Sequence, residues 1–350
     1  MAYSSIVKPG DYFNTKIYTG NGSSQNITGV GFQPDWIWIK NRDVTQWHFL
    51  FDAVRGVSKA VFSNVNNAQS TQAATQTAFL SDGFSVGNDV ASNGNGNGIV
   101  AWNWKCATGV SGTTTGSGSS RSYSGRVNTT AGISIINYAG NSTSGHTIPH
   151  HLGATPKIII LKNMGDSGDW IVHVGALNDP EKVLYLNASD AGTNFNAGFN
   201  STNPTSSVFT LGNNAAVNDD NQQYIAYSFA EKKGYSKFGN YTGNGDADGP
   251  FIYTGFKPAF VIIKKTSATD NWVINDNKRV GYNVDNNELF ANLSNTEDTN
   301  DVLDLLSNGF KIRHTAGRHN SSGATYIYLA FAEQPLVANS GTDGVPATAR

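Results

Sequence analysis

The 350-residue chain has one cysteine, Cys106, which excludes a disulfide framework and any cysteine-based zinc site. Charge is scarce: Asp, Glu, Lys and Arg make up 14% of the residues, against about 25% in an ordinary globular domain. The 24 basic and 26 acidic groups leave a net charge of −2. A nucleic-acid binder working by bulk charge needs a basic surplus to displace phosphate counterions, so that class is excluded. No apolar run has the length of a membrane-crossing helix. The opening residues, Met1 to Pro9, have no apolar core of signal-peptide length, so the chain is expected to be made in a cytoplasm without an export signal of its own. Helical periodicity is nearly absent. The one short candidate is a single turn over Asp301 to Leu306.

What the chain has in quantity is turn formers and aromatics. There are 38 Gly and 40 Asn, with many Ser and Thr, and 18 Phe, 14 Tyr and 7 Trp to fill cores. Such a chain is poor in helix formers and rich in loops, which predicts an all-β protein.

The chain also repeats itself. Phe13, the Tyr18 to Gly22 turn, Pro34 with the apolar run Trp36 to Ile39, Trp47, and the Ile99 to Lys105 run return in order. They come back as Tyr138 to Asn141, Pro156 with Ile158 to Leu161, Trp170 and Tyr224 to Glu231. They return again as Phe238, Tyr241 to Gly245, Pro258 with Phe260 to Ile263, Trp272 and Tyr326 to Glu333. Pro34 to Pro156 is 122 residues and Pro156 to Pro258 is 102; Trp47 to Trp170 is 123 and Trp170 to Trp272 is 102. The period is a domain length. We therefore expect three tandem homologous β-sandwich domains, jelly-roll-like, over 13–106, 132–231 and 238–333. Around them stand an N-terminal arm (1–12), a flexible or extended Gly/Ser/Thr linker (107–131), a short linker (232–237) and a C-terminal tail (334–350). The run after each proline lacks polar alternation and reads as a strand buried on both faces. Asp82-Gly83 and Asn308-Gly309 are hairpin dipeptides. Trp47, Trp170 and Trp272 are expected at equivalent core positions.

A search for chemistry finds little. His146, His150 and His151 are the densest histidine group, but no Asp, Glu or Cys stands at ligand spacing, and a polar loop is the better reading. His173 reads as a strand residue. Asp246 to Gly249 and Asn218 to Asp220 lack the twelve-residue calcium loop and read as turns. Gly94 to Gly98 lacks the Lys-Ser/Thr of a phosphate cradle and reads as a flexible hairpin loop. No catalytic, cofactor-binding or metal-binding residue is assigned. Paired carboxylates for glycoside hydrolysis are not found, so the chain reads as a non-enzyme. The candidate contact residues are Trp102 and Trp104, which share one strand face, Tyr123 and Tyr235 in polar context, and Asn95 and Asn97 in the Gly/Asn loop. Tyr3 and Tyr12 have similar surroundings.

Several of the repeat motifs carry a resemblance. Tyr18-Thr-Gly-Asn-Gly22, Ile27 to Asp35 and Ile39 to Arg42 resemble the opening of a domain family abundant in tailed, especially marine, bacteriophages. Gly234 to Phe238, Tyr241 to Gly245, Gly249 to Phe256, Leu306 to Lys311 and Ser322 to Tyr328 are similar to it too. The resemblance implies a virion protein without catalytic residues, in one of two roles. One is a structural appendage or capsid decoration. The other is a tail-fibre-like adhesin for host surface glycans. It implies other capsid or tail proteins as partners and a virion location; a second copy of the chain around a symmetry axis, a trimer before other states, is the alternative partner, and no nucleic acid, membrane or cofactor is expected. Long fibres usually begin with an attachment domain and a shaft, whereas this chain opens its first repeat by Phe13, which favours the appendage or decoration.

Overall fold

A computed structural model describes residues 4–195, 197–279, 287–300 and 302–337. The fold is all-β, built of antiparallel sheets packed as sandwiches, and one strand arrangement occurs three times. In the first repeat, Phe13–Thr19, Gly98–Trp104, Trp36–Asn41, Phe49–Asp52 and Lys59–Phe62 lie in that order in the main sheet. In the second, the same order is kept by Ile133–Ala139, Gln223–Phe229, Ile158–Asn163, Ile171–Val174 and Lys182–Tyr185. Ser236–Thr242, Thr325–Pro335, Phe256–Lys265, Trp272–Asp276 and Leu289–Phe290 keep it in the third. A three-stranded sheet covers each main sheet, containing Gln25–Thr28, His146–Pro149 and Phe251–Tyr253 respectively.

The apolar runs after the prolines face two different cores. Ile37 and Ile39 point into the first repeat's own sandwich with Phe51, Phe84 and Val86. Trp36 and Trp38, one pleat out of phase, point the other way. Ile159 and Leu161 against Ile158 and Ile160, and Val261 and Ile263 against Phe260 and Ile262, divide identically. The outward-facing set from all three repeats meets in one shared core. There Trp36 stacks on Tyr227 at 4.6 Å, Phe13 on Phe331 at 5.4 Å, and Trp102 meets Phe260 edge-on at 5.5 Å. Both faces of each main sheet are therefore dry, which is why these strands carry no polar alternation.

The Tyr-x-Gly-Asn landmark is a docking device for a short helix. Val90–Asn93, Ala215–Asn218 and Gly317–Asn320 each end on a buried asparagine. Its Oδ1 accepts the backbone N–H of Asn21, Asn141 or Asn244 at 2.8–2.9 Å. The hydroxyls of Tyr18, Tyr138 and Tyr241 donate to the carbonyls of Ser92, Val217 and His319. A Cβ at Gly20, Gly140 or Gly243 would collide with the backbone just after that helix, so only glycine fits between tyrosine and asparagine.

Several expectations are corrected. Residues 107–131 are no free linker: Thr108–Thr113 and Ser122–Asn128 form a hairpin that extends the second main sheet through Ile133–Ala139. Val302 to Leu306 make no helical turn; Leu303–Leu306 is a strand paired with Gly309–Ile312. Gly94 to Gly98 joins the Val90–Asn93 helix to a strand and is no hairpin; Gly96 N–H and Asn97 O bond the backbone of Gly20. The described part of the N-terminal arm does reach a core, because Ile6 is buried in the shared one. Trp47 is not the equivalent of Trp170 and Trp272. Pairing of Phe49 with Ile39, Ile171 with Leu161 and Val273 with Ile263 places His48 in that register. Trp47 is 39% exposed and packs edge-on against Phe62. A shift of one residue along extended chain turns the side chain to the other face.

Candidate functional site

The three repeats close on one another in a cycle, and the junctions are the most specific structures in the molecule. Trp170 Nε1 donates to the Phe62 carbonyl of the first repeat, and Trp272 Nε1 to the Tyr185 carbonyl of the second, both at 2.8 Å. His48 takes this place at the remaining junction. Its Nδ1 accepts from Trp38 Nε1 at 2.8 Å, which leaves the ring proton on Nε2, beside the Phe290 and Leu293 carbonyls of the third repeat.

A buried lysine is the last residue but one of each central strand. Lys40 donates to Asn41 O and to Ser294 O of the third repeat. Lys162 donates to Asn163 O and to Asn66 O of the first. Lys264 donates to Lys265 O and to Ser189 O of the second. Burial pushes all three ammonium groups down to about 8. The sign follows from linkage. Below pH 8 folded and unfolded chains both hold these protons, and folding carries the whole cost of burying three charges. Between about 8 and the ordinary value of 10.5, the folded chain has lost protons that the unfolded chain keeps, so stability rises with pH. Burial raises the hydroxyls of Tyr138, Tyr227 and Tyr235, so above pH 10 the trend reverses. The urea midpoint should therefore climb from pH 7 to pH 9.5, and Lys162→Met should reduce that climb. A midpoint that falls over this range contradicts the assignment.

Beyond each lysine the junction opens to solvent, and here the three differ. Between the third and first repeats, Arg42 makes a bidentate pair with Glu297 at 2.9 and 2.7 Å, and Arg279 Nη1 reaches the same carboxylate at 2.9 Å. These partners hold the Glu297 carboxyl below its ordinary range. Between the first and second, Arg55 and Gln69 line a cavity of about 360 Å³ with Met164. Between the second and third the cavity is about 520 Å³, lined by Leu177, Asn178, Lys182, Asn240, Thr242, Thr266 and their neighbours.

The expected contact residues are mostly elsewhere. Trp102 and Trp104 lie in the shared core, with Trp102 Nε1 donating to Asp276 at 2.9 Å. Tyr235 is in the same core, edge-on to Phe331. Tyr123 is buried, with its hydroxyl 2.9 Å from His151 Nε2. None of the four presents a binding face. Asn95 is exposed; Asn97 is half-buried and accepts from Asn41 through its Oδ1. Tyr12 is half-buried against the shared core, and Tyr3 lies outside the described residues. His146 is a buried strand residue bonded to Asn218 and Thr114, and His150 faces the Thr205 carbonyl. Among the described residues no cluster of three His, Cys, Asp or Glu could hold a metal. The cleft residues were missed because each is an ordinary polar residue alone. Only the comparison of equivalent positions across repeats would have singled them out.

The fold and junctions define an all-β protein of three sandwich-forming repeats around one shared core. The chain belongs to the family of a domain of unknown function, DUF7483, whose model matches residues 8–335 and so spans all three repeats. No curated protein and no solved structure matches it.

Proposed function

We propose that this chain is a non-enzymatic structural protein of a tailed bacteriophage virion, a surface appendage or capsid decoration attached through one pole. The motif resemblance supplies the phage setting. The observation that carries the attachment is that the segments flanking the first and third repeats, at residues 4–5 and 336–337, are held together at one place in the fold. Ser4 Oγ donates to Val337 O at 2.9 Å, Ser5 N to Lys233 O at 3.0 Å and Leu336 N to Gly255 O at 3.4 Å.

The same pole carries an apolar surface that the other repeats lack. Phe251 and Tyr253 stand on the outer face of a strand at a sheet edge, about half exposed, with exposed Val337 near Tyr253. By register, the positions of Phe251 and Tyr253 hold Asn26 and Thr28 in the first repeat and Thr147 and Pro149 in the second. Exposed aromatics at a sheet edge are what a protein partner buries, and they tend to dominate the binding energy. The double substitution Phe251→Asn with Tyr253→Thr should leave a folded protein whose incorporation into particles drops at least tenfold. Quantitative blotting of purified virions measures this. Normal incorporation removes the pole from the proposal, and absence of the native protein from purified virions removes the structural reading altogether.

A further inference from the structure

We infer that the cleft between the second and third repeats is a saccharide-binding site, a function separate from attachment and independent of it. The three junctions are built from equivalent positions, so each is a control for the others. Glu297 N donates to Arg42 O, Gln69 N to Met164 O and Gly192 N to Thr266 O. These bonds align Glu297, Gln69 and Gly192 as one position, and Arg42, Met164 and Thr266 as another. A third position holds Arg279 and Arg55, each three residues after a buried aspartate at the end of a main-sheet strand, and Leu177, three after Val174. At the third-to-first junction the three are Glu, Arg and Arg, joined across the gap. At the first-to-second they are Gln, Met and Arg, with Arg55 Nη1 3.3 Å from Gln69 Oε1. At the second-to-third they are Gly, Thr and Leu; none of these three spans the gap, which Asn240 Nδ2 crosses by donating to the Ala176 carbonyl at 3.1 Å. The second-to-third cavity, about 520 Å³ against about 360 Å³ at the first-to-second, lies where all three positions are short or uncharged.

What remains around that space has a definite chemistry. Thr242, Thr266, Ser267 and Thr325 bring hydroxyls, and Asn178 and Asn240 bring amides; the Thr266 and Thr325 hydroxyls bond each other at 2.8 Å, Ser267 Oγ accepts from Thr325 N, and Asn240 Nδ2 donates to the Ala176 carbonyl. Hydroxyls and amides both donate and accept. Leu177 and Ile327 give the wall an apolar patch. Among the described residues that line it, Lys182 is the only charged one. A phosphate or nucleotide site wants several cations or a glycine-rich nest of N–H groups, and one lysine does not make one. An apolar ligand would strip water from the Thr242 hydroxyl and the Asn178 amide and offer them no partner. A sugar ring matches both parts, because its hydroxyls pair in either direction and its C–H face covers leucine and isoleucine. About 520 Å³ also lies within the usual range of small-ligand clefts.

The full chain, labelled and displayed multivalently, should bind at least one class on an array of neutral, N-acetylated and uronate-containing oligosaccharides. Multivalent display compensates for weak single sites. Thr266→Arg, which installs the first repeat's own residue at that position, should lower binding at least tenfold with an unchanged unfolding midpoint. Thr242→Val, which removes one hydroxyl and little volume, should lower it severalfold. Gln69→Ala, in the neighbouring cleft, should leave it as in the native chain. The inference is overturned if the native chain binds no saccharide on the array, if it binds only inorganic polyphosphate printed beside them, or if both cleft variants bind as the native chain does.

Discussion

Trp170→Ala will cost about 3–5 kcal/mol of folding free energy, while Trp47→Ala will cost no more than about 1.5 kcal/mol. Both are tryptophans next to the same strand of their repeats, and residue type alone would match them. Trp170 is fully buried in the shared core and its Nε1 donates to a carbonyl of another repeat. Truncation opens a cavity between two repeats and leaves the Phe62 carbonyl without that donor. Trp47 is 39% exposed and rests one edge on Phe62. Urea denaturation of the two variants, with midpoint and slope fitted together, measures the contrast. Equal costs would mean that Trp47 carries core packing and that the register assigning His48 to the junction is wrong.

Arg279→Leu will cost a further set of about 3–5 kcal/mol by breaking a buried ionic network on one side only. The Arg279 guanidinium is fully buried and bonds Asp276 at 2.7 Å, Glu297 at 2.9 Å and the Ile274 carbonyl at 2.9 Å. Removing it leaves the wholly buried Asp276 carboxylate with Trp102 Nε1 and two backbone N–H groups as its remaining donors. The molecule contains its own control. Asp52 and Arg55 repeat the pair, with Tyr227 donating to Asp52 at 2.7 Å. At the second-to-third junction the corresponding residues are Val174 and Leu177, opposite Leu329, and all are apolar. The fold therefore accepts either an ionic pair or an aliphatic one at this place, but half of either is costly. Asp276→Val combined with Arg279→Leu should recover at least half of the single variant's loss, since the charge is removed together with its partner. A double variant less stable than Arg279→Leu would show that the carboxylate contributes through Trp102 and not through the arginine.

Residue chemistry and spacing determined the strand content, the three-fold repetition and the position of the central strand in each copy. An apolar run bounded by proline and turn residues has few other conformations that satisfy its backbone. Spacing also held the evidence against Trp47: it lies 123 residues before Trp170, whereas the two prolines are 122 apart, and His48 restores the shared interval. A one-residue discrepancy in a strand is a change of face, so it weighs more than the matching residue type.

Tertiary structure alone decided what covers the second face of each main sheet. A strand that is apolar on both sides states that it is buried, not by what, and the answer was the other two repeats. That packing took Trp102, Trp104 and Tyr235 from the surface into the core. It also drew the Gly- and Ser-rich segment at 107–131 into a sheet, because hairpin pairing to an existing edge satisfies a backbone whose side chains give no hydrophobic signal. The clefts were beyond sequence reading for the same reason. Leu177, Gly192 and Thr266 are brought together by the cyclic closure of the repeats. The shortness of those side chains becomes meaningful only against the longer residues at the equivalent positions of the other two junctions.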